Sequence, residues 1–554
     1  MDKLFITIRP TAEVTIKSRT TRTVFLRKLR LAVKDALQRS GLEARAFVRG
    51  NRVMAEVTGG RGSAVAGGGG SGAGNDVEST GTLSRRVTHA EPVDTGLAST
   101  LATSALERVF GIGTFSFVEA VAAPDLAAIV ALGTELYAER VRGTTYAVRC
   151  KRVGRHAFGS MDVERKLGAA LNPGAKVDLK NPEVTVEIEV DERQALFFSR
   201  RHHGPGGLPL GTGGHALALL SGGFDSIVAA WSLMRRGVEV DFVHFRLGDL
   251  ESERLALRVA KLLSDTWGSG SRPEAHVIDL RPAMREMRDN LDTNLWQVGL
   301  KRLMVKAADG VADALEAHAS TSAPGEEGPR QRGRRTSRRR VDALVTGEAI
   351  GQVSSQTLSN LRTIDAAATR PVLRPLIAHD KQEIISLAER IGTAELSAKA
   401  VEECNITPVR PATSSRTERL ERQEGGMDGG ALAGQLARVE RGDTRIPLRA
   451  MREGEGVLVE EAAGDDLRVS ALPTGAVLID CRDEGIRSWL PDWPETISVP
   501  SDLSGGGLEP GRVYVAFCPM GQRSAYVAER LRVGGVRAHS FKGGEGALRA
   551  YLEG

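Results

Sequence analysis

The spacing of apolar positions along this chain changes from stretch to stretch, and each change predicts an element. Residues 4–9 alternate as a strand, while Phe25, Leu29, Val33 and Leu37 recur at helical spacing and predict an amphipathic helix over 22–38. Between 86 and 200, short strands at 145–150 and 184–190 mix with helical stretches at 97–109 and 126–136, the pattern of a small α+β module. From His215 to Ile391 apolar strands alternate with helices: 216–220, 227–236, 238–245, 251–263, 275–279 and 341–346. That alternation predicts a doubly wound parallel sheet with its ligand at the carboxyl ends of the strands. A last α/β unit begins at 476–480 and continues with a strand at 513–517, a loop and a helix.

Three polar stretches interrupt the pattern. Residues 59–74 hold nine glycines among sixteen positions, a composition that cannot bury enough apolar surface to offset backbone ordering, and read as a flexible insertion. Residues 329–340 carry seven arginines and read as a solvated loop or an RNA-attracting arm. Residues 411–445, rich in Arg, Glu and Gly, read as a linker. The predicted divisions are therefore 1–85, 86–204, 205–410, a linker at 411–455, and 456–554.

The length of 554 residues fits several domains, and 41% apolar against 26% charged residues supports real cores. A net charge of +5, from 75 basic and 70 acidic side chains, puts any nucleic-acid surface in local clusters, not in bulk charge. The first ten residues have no apolar signal core and no run of 18 apolar residues occurs, so a soluble cytoplasmic protein without membrane contact is expected. Four cysteines (Cys150, Cys404, Cys481, Cys518) without a CxxC pair make neither a disulfide framework nor a metal site, and no metal ligands are assigned. Cys150 and Cys481 read as packing residues.

The sharpest chemical signal is the strand 216–220 running into Ser221-Gly222-Gly223-Phe224-Asp225-Ser226 and then a helix. Paired glycines let the backbone approach a phosphate, the serines offer hydroxyls, and the helix N-terminus supplies oriented N–H groups. The spacing is not that of the GxxxxGK[ST] loop. It resembles the loop of the PP-loop ATP pyrophosphatases, which implies ATP cleavage between the α- and β-phosphates, with Asp225 orienting Mg2+ and pyrophosphate. The second signal is Cys518, which heads Cys518-Pro519-Met520-Gly521-Gln522-Arg523-Ser524 between a strand and a helix. Backbone N–H groups and Arg523 there would stabilise a thiolate. The loop resembles that of rhodaneses, whose cysteine carries a persulfide, and the strand 477–480 followed by Cys481 and Arg482 is similar to theirs; a cysteine phosphatase loop has the same geometry.

Together the two signals resemble the tRNA 4-thiouridine synthetases, also linked to thiamine thiazole synthesis, in the long form that ends in a rhodanese domain. Residues 13–19 (EVTIKSR) are similar to the family's N-terminal ferredoxin-like segment. Residues 110–112 and 149–190, above all 178–186 (DLKNPEVTV), are similar to its THUMP domain. Residues 207–212 (GLPLGT), 346–357 (TGEAIGQVSSQT), 373–376 (LRPL) and Asp380-Lys381 complete the match. The resemblance implies an α/β and α+β multidomain chain: ferredoxin-like (1–85), THUMP (86–204), PP-loop adenylation (205–410) and rhodanese-like (456–554).

It also implies an ATP site at Leu219, Leu220, Ser221, Gly222, Gly223, Ser226, His244, Phe245, Lys301, Gly347 and Gln356, with Asp225 and Lys381 catalytic. His244 and Gln356 would equally serve as satisfied polar groups in a sheet, and Lys381 as a solvated helix opener. Cys404 stands where the family has a second redox cysteine, expected to pair transiently with Cys518, against a plain structural thiol as the alternative. Expected partners are tRNA, a cysteine desulfurase as sulfur donor and a thiazole-pathway sulfur-carrier protein; a homodimer is compatible with the sequence. Lys17, Arg19, Arg22, Lys151, Arg152 and Arg155 are the candidate phosphate contacts.

Overall fold

The computed structural model describes residues 3–60, 95–198, 200–248, 250–321, 340–400, 410–451, 467–482, 489, 491–499, 507–509, 511–518 and 522–553. Most of the glycine-rich stretch, the arginine-rich stretch up to Arg339, and Cys404 lie outside the described residues. The chain divides into two compact units. The first holds residues 1–213 with 234–238 and 266–271, and the second holds the remainder. No helix among the described residues is long and apolar enough to cross a membrane.

In the first unit, β1 (Leu4–Pro10), β2 (Leu42–Arg49) and β3 (Arg52–Gly60) form an antiparallel sheet covered by α2 (Arg19–Arg39), which follows the short α1 (Ala12–Thr15). Ser18 caps α2 by accepting from the Thr21 N–H, and Phe25, Leu29, Val33 and Leu37 are buried as their spacing predicts. Next come α3 (Thr95–Leu106), β4 (Ile112–Ala122), α4 (Leu126–Val141), β5 (Thr145–Arg152), α5 (Ser160–Leu171), β6 (Lys176–Val177), β7 (Val184–Val190), β8 (Ala195–Phe198) and β9 (His202–His203).

The predicted boundary at 85/86 is not where this unit divides. Ala98, Ala102 and Leu106 of α3 share a core with Leu4, Ile6 and Ile8 of β1, so α3 belongs with the N-terminal sheet. β4 then serves both halves: residues 112–118 pair with β1, and residues from Val118 onward pair with β8 past a bulge. The result is one sheet in the order β2-β3-β1-β4-β8-β7-β5-β6, with β9 also on β4. Arg9 bonds Glu189 at 3.0 Å, Arg52 pairs with the same carboxylate, and Arg49 pairs with Asp191, which ties the two halves together.

The second unit contains a six-stranded sheet, β14-β13-β10-β11-β12-β15, made from β10 (His215–Leu220), β11 (Glu239–Arg246), β12 (Glu274–Asp279), β13 (Ala343–Val345), β14 (Val372–Leu373) and β15 (Arg445–Pro447). Every residue of β10 is buried, as expected of a central strand covered on both faces. α6 (Phe224–Arg235), α7 (Leu250–Trp267), α8 (Arg281–Asn290), α9 (Trp296–Thr321), α10 (Leu358–Asp365), α11 (Lys381–Ile391) and α12 (Ala394–Ser397) complete the doubly wound arrangement. The chain leaves β10 toward β11 and β12 on one side and returns as β13 and β14 on the other. That reversal opens a crevice at the carboxyl ends of β10 and β13.

The predicted linker is instead part of this unit. α13 (Thr417–Glu424) and α14 (Gly430–Glu440) bury Leu420 and Val439 in the central core, and β15 runs antiparallel to β12 at the sheet edge. α13 sinks one leucine among Thr, Arg, Glu and Gln, so composition hides it, while Ala431, Leu432 and Leu436 of α14 join Val439 against the core.

The last strands form a wholly parallel sheet, β16-β20-β19-β17-β18, from β16 (Arg468–Val469), β17 (Val477–Asp480), β18 (Thr496–Ser498), β19 (Val513–Phe517) and β20 (Arg537–Phe541), with α15 (Gln522–Val533) and α16 (Gly544–Glu553). Val477, Ile479, Tyr514 and Ala516 face Val527 and Leu531 of α15. Leu478, Val515 and Phe517 face Leu548 of α16.

Candidate functional site

The turn after β10 is held by its own serines. Ser226 accepts from the Ser221 N–H at 3.3 Å, lies 3.2 Å from the Ser221 hydroxyl, and donates to the Gly223 carbonyl. Gly222 adopts φ +83°, which an L side chain resists, and a Cβ there would stand 3.1 Å from the Ala256 backbone. Gly347, just beyond β13, lies against the first turn of α6. A Cβ on it would fall 2.4 Å from the Asp225 carbonyl carbon and 2.6 Å from the Ser226 nitrogen. Two loops from adjacent strands therefore meet backbone to backbone at the switch point, around the N-terminus of α6. Gly347→Ala is expected to push the first turn of α6 aside and to weaken binding of a phosphate-bearing ligand such as ATP at that helix N-terminus about tenfold or more, while the chain stays folded. Calorimetric titration checks this, and unchanged affinity would refute it.

Asp225 is the hub of this crevice. Its carboxylate accepts from Lys381 Nζ at 2.8 and 3.1 Å and from Gln352 Nε2 at 2.9 Å. Lys381 opens α11, whose Asp380 and Glu383 form a reciprocal cap, and its ammonium also stands 5.7 Å from the Phe224 ring centroid. The structure thus brings Asp225, Lys381 and Gly347 together and adds Gln352. Sequence reasoning passed over Gln352 because a neutral amide carries no chemical signal of its own.

Leu219, Leu220 and Phe245 are buried in β10 and β11. His244 Nδ1 lies 3.0 Å from the Leu220 carbonyl, which accepts only, so Nδ1 donates. Burial pushes the imidazole down to about 4, and the neutral ring keeps Nε2 as an acceptor. The unfolded chain binds a proton below the ordinary value of 6.5 that the folded chain refuses until about 4. Stability is therefore full above 6.5 and falls as pH drops through this window, by about 2 kcal/mol between pH 7 and 5 from this group alone. Urea denaturation across that range should show the slope, and His244→Asn should flatten it.

Lys301 Nζ stands 4.0 Å from Glu348, a buried carboxylate that also accepts from Thr346 and from Arg374 at 2.9 Å. Gln356 is buried, and its Oε1 has no hydrogen-bond partner among the described residues. An unpartnered buried acceptor fits a ligand that brings a donor, as an adenine or ribose does. Among the described residues no three His, Cys, Asp or Glu side chains gather as metal ligands would.

In the last module, Cys518 directly follows β19 and is 2% exposed. The Ser524 N–H donates to its sulfur at 3.4 Å, the Ser524 hydroxyl lies 3.4 Å away and is itself 2.9 Å from Ser540. Arg482 is buried, paired two-pronged with Asp480 at 2.9 and 2.8 Å and with Glu545 at 2.7 Å, and its guanidinium covers the Phe517 ring. This ion network fixes the carboxyl ends of β17 and β19, where the cysteine loop starts. Cys150 is half-buried, with its thiol pushed up to about 11 mainly by burial.

The basic candidates occupy two places. Lys17 and Arg19 are exposed at the entry to α2, while Arg22 donates to the Thr15 carbonyl at 3.0 Å and so holds that turn. Lys151 and Arg155 are exposed at the end of β5, and Arg152 donates to the Gly154 carbonyl at 2.8 Å. Arg22 and Arg152 keep further N–H groups beyond these bonds.

Comparison with known proteins sets this geometry in context. The profile of the thiamine biosynthesis protein ThiI matches residues 211–323 and 334–428, and that of the THUMP domain matches 124–199. The tRNA sulfurtransferase of Desulfurococcus amylolyticus is 36% identical over 459 residues, which covers 81% of this chain and 86% of that one. The chain belongs to the tRNA sulfurtransferase family. The tRNA sulfurtransferase of Pectobacterium atrosepticum is likewise 36% identical, over 77% of this chain and 84% of its own. Among solved structures, a 4-thiouridine synthetase in complex with RNA and with bound ATP matches at a TM-score of 0.57 and 24% identity, covering 80% of this chain and 98% of that one, a likeness of fold. The two ThiI segments take in Asp225, Lys301, Gly347, Gln352, Gln356, Lys381 and Cys404 of this chain and run on through α13. The THUMP match begins after β4, consistent with a boundary later than 85.

Proposed function

We propose that this member of the tRNA sulfurtransferase family makes 4-thiouridine at tRNA position 8, using ATP to activate the uridine and a persulfide on Cys518 to supply sulfur. The observation that carries the reading is the switch-point crevice, where Asp225, gripped by Lys381 and Gln352, stands at the helix N-terminus beside Gly347. The α6 N–H groups and the serine-bridged loop suit the phosphates of ATP. Neutral His244 and the unpartnered Gln356 suit its base and ribose. Mg2+ is commonly held by one or two carboxylates together with substrate phosphates, and Asp225 fits that donor set. Uridine O4 attacks the α-phosphorus and pyrophosphate departs, which Lys381 assists by countering the growing charge. Sulfur then adds at C4 and AMP leaves with the former O4.

The parallel sheet with Cys518 at a strand end supports a rhodanese-like sulfur carrier, charged by a cysteine desulfurase, with Cys404 as the expected second redox thiol. The THUMP segment and the exposed Lys17, Arg19, Lys151 and Arg155, joined by Arg22 and Arg152, supply phosphate contacts for tRNA. The match to a thiamine biosynthesis profile favours a second outlet for the same persulfide, delivery to a sulfur-carrier protein for thiazole synthesis.

The test is anaerobic incubation of the protein with unmodified tRNA, ATP, Mg2+, cysteine and a cysteine desulfurase, followed by nucleoside mass spectrometry. A 4-thiouridine peak that needs ATP and disappears in Cys518→Ala is expected. Persistence of the peak in that variant would remove the persulfide from the reaction.

A further inference from the structure

Two helices of the second unit each bury an apolar face in a core of their own and meet one another through charged side chains. On α8, Ala283, Met284 and Met287 are buried in the central core, and Arg285 and Asp289, one turn apart, stay exposed. On α15, Val527, Ala528 and Leu531 are buried in the core of the last module, and Glu529 and Arg530 keep contact with solvent. Arg285 Nη1 stands 3.4 Å from Glu529 Oε1, and Arg530 Nη1 donates to Asp289 at 3.2 Å. Each helix therefore gives one cation and one anion and meets the opposite. Exchanging the partners would set Arg285 against Arg530 and Asp289 against Glu529, so the arrangement accepts one register and repels the other.

The two modules keep separate apolar cores. The central cluster draws on residues 217–439, and the clusters of the last module draw on residues 467–552. Exposed ion pairs hold weakly and are screened by salt. Glu529 lies seven residues into α15, about 10 Å along the helix from the end that follows the cysteine loop. The grip is thus on the far half of that helix. We propose that α8 is the docking surface for the sulfur-carrying module of the same chain, a reversible contact of two crossed ion pairs that keeps the carrier on the activation domain. This rests on the persulfide reading above and deepens it. A carrier meets two partners in turn, the donor that loads it and the uridine that receives its sulfur. A large apolar interface would fix it in one place, whereas exposed charges raise its local concentration and still let go.

The first test reads proximity in the full chain carrying Arg285→Lys, treated with a zero-length carbodiimide that joins an amine to a carboxylate in contact with it. A peptide linking position 285 to Glu529 is expected at low ionic strength. Its yield should fall about fivefold or more in about 1 M salt, and by as much when Asp289→Arg is added to repel Arg530. The second test reads delivery: Cys518 is loaded by a cysteine desulfurase, the donor is removed, and sulfur transfer to tRNA with ATP is timed in a single turnover. Exchanging the charges on one helix, by Glu529→Arg with Arg530→Glu or by Arg285→Glu with Asp289→Arg, should slow transfer about fivefold or more without lowering the melting temperature. All four substitutions together should restore the rate to within about twofold, because the crossed pairs re-form at unchanged net charge. Absence of the linked peptide, a yield indifferent to salt, a rate that neither exchange lowers, or a loss that the fourfold variant does not restore overturns the docking role and leaves the persulfide reading standing. A chain whose Cys518 gains no sulfur removes the persulfide reading instead, and the linked peptide then decides the docking alone.

Discussion

Replacing Asp225 with alanine is expected to lower the rate of 4-thiouridine formation by about a hundred- to a thousandfold while tRNA binding stays near its normal strength. The carboxylate joins Lys381, Gln352 and the first turn of α6 at one point, so its loss frees the ammonium and the amide together. Single-turnover assays with saturating tRNA and ATP, with pyrophosphate release followed in parallel, separate activation from sulfur transfer. Both signals should fall together if the residue serves the first step, as proposed. A variant that releases pyrophosphate normally but makes no thiouridine would move Asp225 out of the activation step. Gln352→Ala, which removes one of the two groups that grip the carboxylate, should give a smaller loss in the same direction.

Arg302→Met is expected to cost about 3–5 kcal/mol of stability. Arg302 is 1% exposed and reaches from α9 to Glu424 at 2.7 and 3.0 Å and to the Thr363 carbonyl. The methionine leaves Glu424 half-buried with Lys306 as its remaining close cation and strips the Thr363 carbonyl of a donor. For a folded unit of this size the loss corresponds to a fall of about 6–20 °C in the melting temperature, measurable by calorimetry. Combining Arg302→Met with Glu424→Met should recover much of it, because an apolar pair of similar volume carries no stranded charge. A single variant as stable as the parent would mean that α13 contributes little to the core.

Those two sites mark the boundary of what the sequence makes legible. Strand and helix periodicity located β1, α2, β7, β10 and α6 within a few residues, because each buries a face whose period is local. The phosphate-type turn was legible because strand, glycines and helix are consecutive. Gln352 and Asp225 lie 127 positions apart, and Lys381 and Asp225 lie 156 apart, so their meeting depends on which strands neighbour β10. Resemblance to a family pointed to Lys381, and periodicity could not. The helix at 417–424 escaped notice for the opposite reason: its anchoring contact is an ion pair 122 residues long in sequence, and its charged residues look like solvent-facing chain.

β4 changes partners halfway along its length, and this limits how the protein can be dissected. A fragment ending before residue 112 would strip β1 of a neighbour and present its free N–H and C=O groups as a template for aggregation. A fragment beginning at the THUMP match would in turn leave β8 with an open flank. Amide protons on β1 and on β7 should accordingly exchange with solvent in one cooperative opening. The N-terminal sheet and the THUMP segment form one foldable piece, and a fragment expressed for RNA-binding work has to keep both.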